Sequence, residues 1–237
     1  MGNSSNIKNP FFEIKLESFL KKCIHGSDGR LLPVSTIYCV GQNYVKHIEE
    51  LKSINVGKPL IFSKPPSSII EEGEDIIYPE FSQLVHHEVE IAIYICQVYK
   101  NISEDDVAKV IGGYAIALDL TCRDLQTEAK KTGGPWLISK GFDTSCPITP
   151  IYPFKNLEDL LKKPFYLKKN GEIIQKSDAS FMIFNIPKLI SFISKHFTLA
   201  VGDIILTGTC EGVGPINKND ILSFGSDDIK EVSFKVV

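Results

Sequence analysis

The chain has 237 residues, a formal net charge of −3 and 43% hydrophobic residues, which is typical of one globular domain with a buried core. Its basic residues are spread along the sequence and no apolar run reaches about 18 residues, which excludes a clustered nucleic-acid footprint and a transmembrane helix. The six cysteines contain no CxxC pair and the N-terminus has no secretory signal, so we expect a cytoplasmic protein, with a mitochondrial location left open.

The first part of the chain predicts two short strands and one short helix. Residues 1–34 form an irregular lead-in that ends in a turn-rich stretch. Residues 37–40 are a short apolar run that predicts a buried strand, and residues 59–63 predict a second strand that a Pro-Pro pair ends. Between them, residues 43–51 have the pattern of a short helix with Asn43 as its N-cap.

A period-2 pattern follows in residues 87–95. One predicted face of this strand carries four β-branched residues, namely Val89, Ile91, Ile93 and Ile95. The opposite face carries two glutamates, Ala92 and Tyr94. Residues 103–111 then predict a helix with a serine cap, and residues 114–120 predict a strand. A second helix begins near Thr121, where Thr121 and Asp124 have the spacing of a capping box.

The remaining elements complete a β-rich pattern. Asn170-Gly171 at the centre of residues 166–175 is a strong signal for a two-residue hairpin turn. Residues 186–196 predict an amphipathic helix with Pro187 in its first turn. Further strands are predicted at residues 204–206, 221–224 and 232–236. Because short strands outnumber helices and do not alternate regularly with them, we predict an α+β, mainly β fold.

Three carboxylates form the first candidate site. Glu88 and Glu90 are two residues apart on a predicted strand, so their side chains project from the same face. Asp119 ends the apolar run YAIALDL, where a carboxylate is costly to bury without a partner. Together they offer the oxygen ligands that a hard divalent cation prefers. The alternatives are a solvated face for the glutamates and an exposed strand end for Asp119.

Polar and basic residues follow Asp119 on the next predicted helix. Arg123, Gln126 and Lys130 fall on one face of it, and Arg123 offers a bidentate fork for a carboxylate. A solvent-facing helix surface is the alternative, and it suits Lys130 best. Lys140 has apolar neighbours, so it is predicted to be a partly buried charge stabiliser unless its ammonium reaches solvent.

His47 and Glu50 are three residues apart on the first predicted helix and can touch. A carboxylate beside an imidazole fixes its tautomer and raises its basicity, as a general base acting on water requires. The alternative is a pair of surface neighbours. The glycine-rich residues 207–215 lack the lysine of a phosphate-binding loop. Their glycines would let the backbone and the Thr209 hydroxyl approach a ligand, unless the stretch is a plain tight turn.

Seven segments stand out in chain order: GQNYVKHIEEL, KPLIFSKPPSSII, HHEVEIAIYI, GGYAIALDLTCRDLQ, GGPWLISKGFDTSCP, NGEIIQ and GDIILTGTCEGVGP. Together they resemble the fumarylacetoacetate hydrolase superfamily, and more closely its acylpyruvase and oxaloacetate decarboxylase branch. The resemblance runs from about Ile37 to near the C-terminus. Gln42 is a departure, because related sequences usually carry an arginine there.

The resemblance implies a mixed β-sandwich roll with short flanking helices, a homodimer, and one Mg²⁺ per subunit that Mn²⁺ can often replace. It implies a single catalytic domain at residues 35–237, an N-terminal extension at residues 1–34 and a lid segment at about 42–55. It also assigns roles by position. The implied metal ligands are Glu88, Glu90 and Asp119; the catalytic residues are His47, Glu50 and Lys140; and the substrate-binding residues are Arg123, Gln126 and Thr209.

From this resemblance we expect a metal-dependent hydrolase that cleaves the carbon–carbon bond of acylpyruvates to pyruvate and a carboxylate, and that also decarboxylates oxaloacetate. Two alternatives remain. One is an isomerase or an oxaloacetate keto–enol tautomerase on the same fold. The other is a non-enzymatic metal- or ligand-binding protein. In each case the expected partner is a small keto acid rather than a nucleic acid or a membrane.

Overall fold

The computed structural model describes residues 22–50 and 57–237. Within these ranges the strands are β1 Cys23–His25, β2 Leu31–Pro33, β3 Ile37–Gly41, β4 Leu60–Lys64, β5 Ile69–Ile70, β6 Val85–His87, β7 Val89–Ile95, β8 Ile111–Leu118, β9 Thr121–Cys122, β10 Cys146–Pro147, β11 Tyr152–Pro153, β12 Phe165–Lys169, β13 Glu172–Ser177, β14 Ile204–Thr209, β15 Gly214–Pro215, β16 Ile221–Ser226 and β17 Val232–Lys235. The α-helices are α1 Val45–Glu50, α2 Arg123–Thr132, α3 Leu137–Lys140, α4 Leu157–Lys162 and α5 Ile186–His196. Short 3₁₀ helices cover Pro66–Ser68, Glu104–Lys109 and Ala179–Phe181. The predicted α+β, mainly β class is confirmed.

A six-stranded mixed sheet, ordered β11-β8-β7-β14-β3-β4, forms the centre of the fold. All seven residues of β7 are buried, so both faces of this strand are covered. Val89 and Ile91 face a large hydrophobic cluster shared with α5 and a second sheet. Ala92 and Tyr94 face another cluster, which also contains Ile37. The predicted division of this strand into two faces is confirmed, but neither face is solvated.

The second sheet, β13-β12-β16-β17, packs against the larger cluster. Its β12–β13 hairpin turns at Asn170-Gly171, whose φ angles of 53° and 88° are those that the predicted two-residue turn requires. Phe224 and Phe234 stack with their ring centroids 5.5 Å apart and extend the apolar layer. In a small β15-β6-β9 sheet, β6 directly precedes β7 in the chain and β9 leads into α2.

Asn43 does not cap the helix that follows it. α1 begins at Val45, and the Asn43 side chain instead donates hydrogen bonds from Nδ2 to the carbonyls of Phe184 (3.0 Å) and Thr207 (2.8 Å). Buried amides of this kind require partners, and distant backbone carbonyls provide them here. The prediction of Asn43 as an N-cap is therefore wrong, although the helix itself is present in the described part of residues 43–51.

The predicted capping box at the start of α2 is also wrong. The helix begins two residues later than Thr121, whose hydroxyl donates to the Asp119 carbonyl at 3.1 Å. The Asp124 carboxylate accepts from the Ser82 hydroxyl (2.7 Å) and the Gln83 amide (2.8 Å). The Asp124 carboxylate thus makes long-range hydrogen bonds, and the Thr121 hydroxyl is used by a carbonyl that precedes it. In contrast, the predicted helix at residues 186–196 is confirmed with its exact bounds as α5.

Residues 22–34 pack against the central sheet. β1 and β2 form an antiparallel hairpin, and Ile24 and Val34 are buried in the smaller cluster. The rest of the predicted N-terminal extension, residues 1–21, lies outside the described residues, as does part of the predicted lid, residues 51–55. In the ranges that the structure covers, no helix combines the length and the apolar character needed to span a membrane.

Candidate active site

The three predicted carboxylates converge at one end of the central sheet. Glu88 lies between β6 and β7, Glu90 lies in β7, and Asp119 follows β8, which pairs antiparallel with β7. One oxygen from each carboxylate lies within 4.8 Å of the others, and all three residues are buried. The backbone amide of Asp119 donates to the Glu88 carbonyl at 2.8 Å, which holds the two segments together. The solvated-face and exposed-end alternatives are therefore wrong.

Buried cations surround these carboxylates. Lys140 Nζ lies 2.7 Å from Glu88 Oε2 and 2.7 Å from Asp119 Oδ2, and Arg123 pairs with Glu88 Oε1. Lys140 is 2% exposed, so the alternative in which its ammonium reaches solvent is wrong. Lys64 Nζ, on β4, lies 2.9 Å from Asp119 Oδ1 and is fully enclosed. Sequence reasoning missed Lys64, although its position after the apolar residues of β4 was a usable signal.

These charges act differently on the two glutamates. Burial by itself would raise the pKa of Glu88, but Lys140 and Arg123 outweigh it and hold that pKa well below its usual range. Burial raises the pKa of Glu90, and the neighbouring Asp119 and Glu88 carboxylates raise it further. Glu90 receives a hydrogen bond from the Gly208 amide at 2.7 Å, which offsets only part of this cost. Glu90 is therefore the carboxylate whose charged form a nearby cation would stabilise most.

The carboxylate cluster fits a hard divalent cation. The three carboxylates place one oxygen each within 4.8 Å of the others, and the raised pKa of Glu90 reflects burial and like charges in close proximity. Oxygen donors at this separation suit either Mg²⁺ or Mn²⁺. Glu88, Glu90 and Asp119 are the residues that could hold the cation.

A Glu90→Gln substitution is expected to stabilise the metal-free fold at alkaline pH. The folded-state pKa of Glu90 is raised, so its contribution to stability is present below the usual pKa of 4.5 and is lost as pH rises through the folded value. Glutamine keeps the acceptor for Gly208 and carries no charge. In EDTA at pH 8 we expect the variant to melt at least about 3 °C higher than the wild type.

The difference should shrink towards pH 5, and added Mn²⁺ should reverse it because only the wild type then gains stability from metal binding. The melting temperatures of the wild type and the variant are measured under four conditions: at pH 5 and pH 8, each with EDTA and with Mn²⁺. A variant that melts below the wild type in EDTA at pH 8 would contradict the charge assignment of Glu90.

The polar face that was predicted for the helix after Asp119 also lines this site. Arg123, Gln126 and Lys130 of α2 all line the pocket that contains the carboxylates. Arg123 donates from Nη1 to Gln126 Oε1 at 2.7 Å, so the two side chains support each other. Gln42 lines the same pocket with a φ of 60°, a left-handed conformation that is uncommon for a side chain of this type. Eight of the nine predicted site residues line this pocket, and Glu50 is the exception.

His47 projects from α1 into the pocket, and Glu50 lies behind it. His47 is 4% exposed, so the alternative of two surface neighbours is wrong for the histidine. Its Nδ1 lies 3.6 Å from Glu50 Oε2, a separation longer than a hydrogen bond. Burial lowers the pKa of His47, which keeps the imidazole neutral and able to accept a proton. The Gly212 amide donates to Glu50 Oε1 at 3.3 Å and helps to orient the carboxylate.

Thr209 also lines the pocket, at the end of β14. Its hydroxyl donates to the Val89 carbonyl at 2.9 Å and accepts from Gln175 Nε2 at 3.0 Å. A substrate carboxylate would have to replace Val89 as the acceptor of the hydroxyl hydrogen. The role of Thr209 in substrate binding remains a prediction.

Gln175 is a second residue that sequence reasoning missed. From β13 in the other sheet, its Oε1 lies 2.9 Å from His87 Nδ1 and accepts from the Val89 amide at 3.2 Å. Its Nε2 donates to Thr209 Oγ1 and to the Cys210 carbonyl at 3.1 Å. One buried amide thus ties together the two strands that carry the site. The NGEIIQ segment marked this residue without indicating its contacts.

The two adjacent histidines have separate environments. His87 is buried against Gln175, and His86 is half-buried with its Nδ1 unpaired within the described residues. Burial lowers the pKa of both imidazoles to about 4, and Arg123 adds to the effect on His86. Arg123 and Glu88 are charged neighbours of both rings, but neither histidine belongs to the carboxylate cluster.

A β-rich roll whose pocket combines three buried carboxylates, a buried lysine and a neutral histidine defines a class of enzymes with a candidate divalent-metal site. The chain belongs to the fumarylacetoacetate hydrolase family: the family described as fumarylacetoacetate (FAA) hydrolase C-terminal matches residues 36–237. The family predicted from the sequence is thereby confirmed.

Named relatives refine this class. The chain is 41% identical to oxaloacetate tautomerase FAHD1, mitochondrial, of Homo sapiens over 200 residues, which cover 84% of this chain and 90% of that protein. It is 41% identical to oxaloacetate tautomerase YcgM of Escherichia coli strain K12 over 206 residues, which cover 86% and 94%. The crystal structure of fumarylpyruvate hydrolase from Pseudomonas aeruginosa in complex with Mn²⁺ and pyruvate is similar, with a TM-score of 0.84, 34% identity and coverage of 90% and 94%.

Proposed function

We propose that the chain is a divalent-metal-dependent oxaloacetate keto–enol tautomerase. The observation that carries the proposal is that His47, neutral and buried, lines the same pocket as the three carboxylates. The names of the two relatives at 41% identity support this reaction over the acylpyruvate hydrolysis expected from the sequence. Both reactions pass through the enolate of a 2-keto acid, so both require the pocket to stabilise the negative charge of that enolate.

The charges of the site favour a substrate with two negative charges. The three carboxylates face three cations that pair with them, Lys64, Arg123 and Lys140, and a fourth cation, Lys130, lines the same pocket. A bound divalent cation would therefore leave three positive charges without compensation. Oxaloacetate is a dianion at neutral pH and would compensate two of them. When bound, the cation would supply Lewis-acid stabilisation of the negative charge that develops on the C2 oxygen.

The chain's own residues account for the proton transfer. Nδ1 of His47 faces Glu50, so Nε2 is the nitrogen that would take a proton from C3 of the keto form. Glu50 would stabilise the imidazolium that results. The same imidazolium would return the proton to the C2 oxygen, which completes the conversion to the enol. Lys140 would stabilise the enolate electrostatically, and Arg123 and Gln126 would hold the substrate in place.

Acylpyruvate hydrolysis, with oxaloacetate decarboxylation, is the second candidate. The similarity to the fumarylpyruvate hydrolase structure favours it, and the His47–Glu50 pair could equally activate a water molecule. The third possibility, a non-enzymatic binding protein, has no support from the family or from the retained set of polar residues. A cytoplasmic location, with the mitochondrion as the alternative, and a homodimeric state remain part of the proposal.

The proposal is tested by following the ketonisation of enol-oxaloacetate by ultraviolet absorbance. Protein stripped with EDTA is compared with protein given Mg²⁺ or Mn²⁺, and each metal without protein corrects for uncatalysed tautomerisation. We expect acceleration only when protein and metal are both present. In parallel, NMR of acetylpyruvate and fumarylpyruvate reactions detects the release of pyruvate. Pyruvate release without any acceleration of ketonisation would replace the proposal with the second candidate.

A further inference from the structure

We infer that Lys130, held over the indole ring of Trp136, binds the distal carboxylate of a dicarboxylate substrate. This inference rests on the proposed function, because it assigns the part of the pocket that would receive the carboxylate at the far end of oxaloacetate. It identifies a determinant of specificity rather than a group that takes part in proton transfer.

Three cations line the pocket, and two of them are already engaged. Arg123 pairs with Glu88 and is bonded to Gln126. Lys140 lies between Glu88 and Asp119. Lys130 has no carboxylate within ion-pair distance among the described residues, and its ammonium lies over the ring of Trp136. Of the cations that line the pocket, Lys130 is thus the one whose charge is free to meet a substrate anion.

The fold holds this ammonium at the mouth of the pocket. α2 ends at Thr132, and Gly133 with a φ of 69° reverses the chain so that Trp136 returns beside Lys130. Lys130 Nζ lies 5.3 Å from the centroid of the Trp136 ring, a cation–π separation. Trp136 in turn packs against Phe62, with their ring centroids 5.5 Å apart. The ring therefore has a fixed place against which the flexible lysine can settle.

The electrostatic environment of Lys130 favours the binding of an anion. Partial burial of the ammonium lowers its pKa, and repulsion from Arg123 lowers it further, with a smaller opposing effect from Glu88. A carboxylate placed beside Lys130 would relieve this repulsion. The side chain as a whole is exposed, so the ammonium can reach a ligand that enters from solvent. An ordinary solvated lysine would have no such preference for one end of the substrate.

The test compares two ligands that differ in the distal carboxylate and do not turn over through C3 chemistry. L-Malate has this carboxylate and L-lactate has a hydrogen in its place. Their affinities are measured by competition against oxaloacetate turnover and by thermal shift with the Mn²⁺-loaded protein. The variants are Lys130→Met, which keeps the length without the charge, and Lys130→Arg. Lys131→Met is the matched control, because Lys131 is exposed and faces Glu128 at 4.0 Å.

We expect Lys130→Met to weaken malate binding by about 10-fold and to leave lactate binding within about 2-fold, since a partly solvated ion pair contributes modestly. The KM for oxaloacetate should rise similarly with little change in kcat. Lys130→Arg and Lys131→Met should retain the preference for malate. An unchanged ratio of malate to lactate affinity in Lys130→Met overturns the inference. Loss of that preference in a protein that does not tautomerise oxaloacetate would support the subsite and refute the proposed reaction.

Discussion

Asp119→Asn is expected to weaken Mn²⁺ binding by more than about 100-fold and to reduce oxaloacetate tautomerisation by a similar or larger factor. The substitution removes one of three clustered carboxylates while keeping nearly the same volume. An amide cannot offset the charges of Lys64 and Lys140, which lie 2.9 Å and 2.7 Å from the Asp119 carboxylate. The site would then carry excess positive charge before a cation arrives, and a divalent cation would be repelled as well as poorly coordinated.

Mn²⁺ binding is followed by the rise in melting temperature over a titration, and activity by the ketonisation assay. Wild-type protein should show a rise that depends on metal concentration, and Asp119→Asn should show none at the same concentrations. Glu158→Gln is the control, because it removes an exposed acid that pairs with Lys162 on α4. Circular dichroism verifies that each variant is folded. A wild-type metal response in Asp119→Asn would remove Asp119 from the proposed ligand set.

Asp119→Asn leaves two buried lysines short of an acidic partner and so lowers stability as well. Glu90→Gln separates the two effects, because it is expected to stabilise the metal-free fold. Loss of metal binding in both variants, with opposite effects on metal-free stability, would assign the loss to coordination rather than to unfolding. Retention of metal binding by both would place the cation elsewhere.

The position of these carboxylates was accessible from the sequence because β7 has a strict period of two. That pattern assigned Glu88 and Glu90 to one face, and the apolar run before Asp119 indicated a buried neighbour. The pattern could not show that both faces of β7 are covered. The layer over the face that carries Glu90, Ala92 and Tyr94 includes Ile24, Ile69 and Cys146, which lie on β1, β5 and β10 and are all more than 20 residues from Glu90 in the chain. Burial of a strand's polar face is decided by such distant elements.

Local signals failed where other contacts satisfied the candidate capping residues. Asn43 is buried and donates to carbonyls 141 and 164 residues away, and Asp124 accepts from Ser82 and Gln83, 42 and 41 residues away. Lys64 and Gln175 were missed for the related reason that their partners are distant in the chain. The contacts of Gln175 reach 88 residues along the chain to His87. No spacing rule within a window of one helix or strand detects a partner at that separation.

His47→Gln is expected to reduce oxaloacetate tautomerisation by about 10²- to 10⁴-fold, the usual contribution of a general base. Glutamine keeps a polar side chain of similar length but cannot take a proton from C3. Mn²⁺ binding should be unchanged, because His47 is not part of the carboxylate cluster. Decarboxylation of oxaloacetate needs no base, so it should remain within a few-fold of wild type.

The pH dependence of kcat is a second test of the role of His47. Burial lowers the folded-state pKa of His47 below the usual value of 6.5, so the imidazole stays neutral as pH falls through that value. The wild-type kcat should therefore remain level through pH 6.5 and decline only at lower pH, as the base becomes protonated. The residual activity of His47→Gln should lack this decline. Glu50→Gln should move the decline to lower pH, because Glu50 raises the pKa of His47, and it should lose about 10-fold in rate, since Glu50 acts through His47.

His196→Gln serves as the control for a histidine outside the pocket, since His196 lies at the exposed end of α5 with its Nδ1 bonded to the Phe192 carbonyl. Tautomerisation at the wild-type rate in His47→Gln would show that another group moves the proton. If the same variant also lost pyruvate release from acylpyruvates, His47 would be the base for water rather than for C3. Hydrolysis would then be the reaction that the His47–Glu50 pair catalyses.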